Sequence, residues 1–141
     1  MNEDQTKYLA ALRSGEYVQC TLALVQVASD NSREACCLGV AALEFGGTLV
    51  ELDNDPTSRL GFYKFAVKLE GEIDLISGSR LPDSINEKLG LTYRDNLVMT
   101  RLNDILGFNF NRIADTLEGY WTDTLVQVDN LHGYMTRKGL Y

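Results

Sequence analysis

Few residues of this 141-residue chain could do chemistry: one histidine, His132, three cysteines, Cys20, Cys36 and Cys37, and several arginines that stand near tyrosines. A histidine base needs a partner that fixes its tautomer. His132 stands beside Gly133 with no such partner in the sequence, which fits a solvent-exposed ring. Two adjacent cysteines cannot easily chelate one zinc tetrahedrally, and no CxxC pair, HExxH or DxDxDG loop occurs. An odd cysteine count makes no disulfide framework, so buried, reduced thiols fit better. The carboxylate pairs Glu70 with Glu72 and Asp53 with Asp55 fall in turn-like stretches, where acidic residues occur without any acid–base role. The expected protein is therefore not an enzyme, and it has no metal site and no cofactor.

Binding remains. Phosphate loops of the GxxxxGK[ST] and GxGxxG kinds are missing. An arginine beside an aromatic ring, however, can clamp a planar anion by bidentate hydrogen bonding and stacking. Arg13 with Tyr17, and Tyr93 with Arg94, have that character. Arg80 closes the stretch SGSR, which could fold into a backbone nest for an anion. Each also fits an ordinary surface pair or turn. Arg13, Tyr17, Arg80, Tyr93 and Arg94 are thus the candidate ligand-binding residues.

Charge narrows the partners. Thirteen Lys and Arg against 20 Asp and Glu give a formal charge of −7, with no clustered basic face of the kind that grips duplex phosphates. The phrase FNRIADTL imitates the start of a helix-turn-helix, yet Asp115, Glu118 and Asp123 would repel a duplex from its second helix. No apolar run approaches the ~18 residues of a membrane span. The polar start MNEDQTKYLAALRSGE lacks the apolar core of a signal peptide, which points to the cytoplasm.

The elements that must position these residues follow from periodicity. Tyr8, Leu9 and Leu12 sit at helical spacing before a stop at Gly15. Tyr17 to Ala28 reads as one strand covered on both faces, and Ser29 to Glu34 as a loop. Ala35 to Phe45 reads as a buried helix in which Gly39 signals a close backbone approach. Thr48 to Asp53, the alternating GFYKFAVKLEG and Glu72 to Ser77 read as strands, with a turn around Pro56. Pro82 and Asp83 start a short helix that Gly90 closes. Two more helices follow: one carries Leu97, Val98, Leu102, Ile105 and Leu106, and the other is capped by Asn109 and runs from Phe110 to Trp121. Thr124 to Val128 reads as a strand or a continued helix, and the tail has no clear pattern. The expected architecture is α+β, a small mostly antiparallel sheet packed by several helices, in a single globular domain over residues 1–141.

Three stretches together resemble a family of small bacteriophage proteins. ALRSGEYVQ (Ala11 to Gln19) is similar to that family's opening, and CCLGVAAL (Cys36 to Leu43) to its Cys-Cys-Leu-Gly-Val signature. LPDSINEKLGL and LNDILGFNFNRIADTLE resemble its later blocks in the same order. The chain departs at Ala41-Ala42, where the family often has Leu-Cys, and at Glu44, where it often has Asp. The resemblance implies a phage accessory protein made in the host bacterial cytoplasm. Such a protein, lacking catalytic residues, is expected to act by binding, as a homo-oligomer that sequesters a nucleotide-derived immune signal in an anti-defence role. The alternative is a protein–protein inhibitor of a host enzyme or defence factor, with an exposed patch around Trp121, Tyr134 and Tyr141.

Overall fold

A computed structural model describes residues 1–28, 33–51, 62–72, 76, 80–124 and 130–140, with the backbone alone for 28, 51 and 62–65. Helix α1 (Glu3–Arg13) begins at a reciprocal cap: Asn2 Oδ1 accepts from the Gln5 amide at 2.7 Å, and Gln5 Oε1 accepts from the Asn2 amide at 2.9 Å. Its apolar stripe, Tyr8, Leu9 and Leu12, is buried, and Gly15 follows at φ +77°.

The segment expected to be one strand from Tyr17 to Ala28 is two strands, β1 (Val18–Gln19) and β2 (Val25–Ala28). Between them the chain reverses through Leu22 at φ +62°, a left-handed conformation costing roughly 1–2 kcal/mol outside glycine. The reason lies in β3 (Arg33–Ala35), part of which was expected to be loop. It inserts between the two halves, parallel to β1 and antiparallel to β2. The Cys20 amide donates to Ala35 O and the Cys36 amide to Leu24 O, each at 3.0 Å, so both arms of the reversal are tied to β3.

Helix α2 (Cys37–Glu44) follows, with Cys36 as its N-cap rather than its first turn. Gly39 is required here, because a Cβ would collide with the Leu24 carbonyl oxygen. Strands β4 (Thr48–Glu51) and β5 (Phe62–Lys68) complete a five-stranded sheet of order β1-β3-β2-β5-β4, antiparallel except for the β1–β3 pair. Ile76, from the expected strand at 72–77, forms an antiparallel bridge with Val67; its neighbours on both sides, like the turn around Pro56, lie outside the described residues.

The second half is helical: α3 (Asp83–Leu89), α4 (Tyr93–Asp104), α5 (Phe110–Thr122) and α6 (Leu131–Arg137). Gly90 closes α3 in the left-handed region, and Asn109 caps α5. The start of α4 lies a turn earlier than its apolar pattern suggests, because Thr92 and Asp95 form a capping box. Asp95 does more than cap. Its buried carboxylate also accepts from the Leu131 amide at 3.0 Å, joining α4 to α6. The stretch 125–129, which covers most of the expected element at 124–128, lies outside the described residues.

Both halves share one core, with Tyr8 and Leu12 of α1, Leu38 and Val40 of α2, Met99 and Leu102 of α4 and Ile113 and Leu117 of α5 all buried. The architecture is α+β, as the periodicity indicates. Two buried amides stitch the helices. Asn96 Oδ1 accepts from the Leu81 amide and from Asn86 Nδ2, while Asn96 Nδ2 donates back to Asn86 Oδ1 at 2.9 Å.

Candidate functional site

The candidate residues fall into two groups with no hydrogen bond, ion pair or ring contact between them among the described residues. Arg13 ends α1 with its guanidinium already committed, donating to Asp115 Oδ1 at 2.7 Å and to Glu118 Oε2 at 2.8 Å on α5. These two carboxylates push its pKa further up. They are the same acidic residues that would have faced a duplex; instead they hold α5 against α1. Tyr17 donates its hydroxyl to Glu44 Oε1 at 2.9 Å, and burial beside that carboxylate pushes its pKa up to about 12.

In the second group, Arg80 and Tyr93 meet. The Arg80 guanidinium lies over the Tyr93 ring, 5.0 Å from its centroid, and within 3.9 Å of Asp83 Oδ1. Arg94 is the next residue along α4, and it is exposed. The anion nest expected at SGSR lies outside the described residues except for Arg80 itself.

Sequence reasoning missed the rest of the α4 surface. From the sequence its apolar residues read only as lying at helical spacing; Val98, Met99 and Leu102 turn inward while Leu97 and Ile105 turn outward, 42% and 72% exposed. Tyr93, Leu97, Arg101 and Ile105 are spaced by four residues and so share one face. Leu106 is exposed beside it. The reversal carrying Leu22, 78% exposed, is tied to the same end of α4, because Asn103 Nδ2 donates to Cys20 O at 2.7 Å. The patch expected around Trp121 and Tyr134 is not exposed. Tyr134 packs on Tyr120 with ring centroids 5.8 Å apart, and Trp121 is half-buried; Tyr141 is outside the described residues.

The cysteines are all buried. Burial pushes the Cys20 thiol up to about 12 and Cys36 to about 11, and raises Cys37 well above its ordinary value. Such thiols stay protonated near neutral pH, which suits packing rather than nucleophilic attack. Among the described residues, no three His, Cys, Asp or Glu side chains stand where they could hold a metal ion. His132 is exposed, and no described helix is long and apolar enough to cross a membrane.

One cleft, of about 350 Å³, opens where the residues before β1 and strand β3 meet the end of α2. Glu16, Tyr17, Arg33 and Glu34 line it over an apolar floor that includes Val25 and Leu43. No known protein family, curated protein or solved structure matches the chain.

Proposed function

We propose that the protein is a non-catalytic binding protein that inhibits a host enzyme or defence factor by docking on it through the outward face of α4. The observation behind this reading is the row Tyr93, Leu97, Arg101 and Ile105 at four-residue spacing, whose three apolar members are exposed although the opposite side of the same helix fills the core. Large apolar side chains held out on a rigid helix favour an interface, since water gains nothing from them. Arg94 stands exposed beside that row on a chain of net charge −7. The complementary partner surface is an apolar groove rimmed by carboxylates.

The reading that the chain sequesters a nucleotide-derived signal retains one supporting feature. Arg80 stacked on Tyr93 offers a flat cationic surface for a base or a phosphate, with Arg94 next to Tyr93 in the chain. Native mass spectrometry of protein purified from bacterial lysate separates the two. A host protein held by the wild type and lost from the Leu97→Glu, Ile105→Glu double variant supports docking. A retained mass in the nucleotide range, lost in Arg80→Ala, supports sequestration. Equal retention of the host protein by wild type and double variant overturns the α4 surface.

A further inference from the structure

The cleft at the end of α2 lies on different elements from the α4 face, and two of its charged groups have no partner among the described residues. Arg33 and Glu16 line it, and neither side chain makes a hydrogen bond or ion pair among the described residues. Strand alternation places Arg33 on the same face of β3 as Ala35, which is buried. Glu34 also lines the cleft, but its carboxylate is engaged: its Oε2 accepts from its cross-strand partner Gln26 at 2.6 Å. The cleft therefore presents one guanidinium, Arg33, and one carboxylate not already hydrogen-bonded among the described residues, Glu16. The Tyr17 hydroxyl donates to Glu44, so toward a ligand its oxygen can act only as an acceptor.

Below these groups lie Val25, fully buried, and Leu43. A ligand matching this lining has a carboxylate for Arg33, an ammonium for Glu16 and an apolar body for the floor. The volume of about 350 Å³ is near the low end for small-molecule sites, about 300–1,000 Å³, and suits a single small metabolite with a few waters. We propose that this cleft binds a free α-amino acid with an apolar side chain. Arg33 holds its carboxylate by a charge-assisted, bidentate pair, and Glu16 with the Tyr17 oxygen receives its ammonium.

Leucine and three analogues that each lack one matching group test the assignment by thermal shift and titration calorimetry on the full chain. 4-Methylvalerate lacks the ammonium, leucinamide the carboxylate and glycine the side chain. Leucine is expected to raise the melting temperature with concentration, and each analogue to bind about tenfold more weakly or worse. Arg33→Gln removes the preference for leucine over leucinamide, and Glu16→Gln the preference for leucine over 4-methylvalerate. Both positions are exposed, so both variants keep the wild-type melting temperature without ligand. No shift at about 10 mM leucine, equal shifts from all four compounds, or wild-type selectivity in both variants overturns the proposal.

Discussion

Asn103 holds Cys20: its Nδ2 donates to the Cys20 carbonyl at 2.7 Å, while its Oδ1 accepts from the Cys37 amide at 3.2 Å and from Gln19 Nε2 at 2.9 Å. One buried side chain thus joins the end of α4 to β1, to the Leu22 reversal and to the start of α2. Asn103→Ala leaves a buried carbonyl and a buried amide without partners, at about 1–3 kcal/mol each. The expected loss is about 3 kcal/mol in urea unfolding. A loss below about 1 kcal/mol would show that water replaces the amide, and that Asn103 does not set the reversal.

Gly39→Ala should reverse the usual sign. In an ordinary helix interior, alanine gains about 1 kcal/mol over glycine. Here the new Cβ meets the Leu24 carbonyl oxygen, which already accepts from the Cys36 amide, so α2 must move away from the start of β2. Destabilisation of about 1–3 kcal/mol is expected, by overpacking. A stabilised Gly39→Ala variant would show that α2 does not cross the β1–β2 reversal at this distance.

These positions show what the sequence could and could not convey. Gly15, Pro82, Gly90 and Asn109 mark helix ends by local chemistry, so α1, α3 and α5 were legible. Gly39 announced a close approach without saying to what. The reversal at Leu22 was hidden because it uses neither glycine nor proline; the pairing of β3 between β1 and β2 enforces it from a distance. Helix α6 was missed because seven residues leave room for only Leu131, Tyr134 and Met135 on its buried side. Within the candidate site, the nearness of Arg13 to Tyr17 in the chain was uninformative. Their partners, Asp115 and Glu118 for one and Glu44 for the other, arrive through tertiary packing. Arg33 fell in a stretch read as loop, although its alternation with Ala35 was the available signal for a strand edge.

The buried thiols and Tyr17 make stability depend on alkaline pH. Each has a folded pKa raised above its unfolded value, so the contribution of its protonated form is complete below about pH 9 and is lost as pH climbs toward 11 to 12. The melting temperature should be level between about pH 6 and 8 and fall steadily above about 9. A thiol reagent at pH 8 should leave all three cysteines unlabelled until urea unfolds the chain. Rapid labelling of the folded protein would mean that one of these thiols reaches solvent.

Arg13→Gln tests whether this arginine staples helices or serves a ligand. Its guanidinium bridges Asp115 and Glu118, but all three side chains are at least one-third exposed, and exposed pairs contribute about 0.2–1 kcal/mol. Water and mobile ions compete for these groups, so the contribution shrinks as the Debye length falls from about 10 Å at 0.1 M salt to about 3 Å at 1 M. Removing Arg13 leaves the two carboxylates one turn apart on α5 with no cation between them, and that repulsion is screened by salt as well. The variant should therefore lose about 1 kcal/mol or less at low ionic strength and match the wild type at 1 M salt, with host-protein and amino-acid binding unchanged. A salt-independent loss would assign the effect to the packing of the arginine stem on α5. A loss of binding at unchanged stability would return Arg13 to the ligand site.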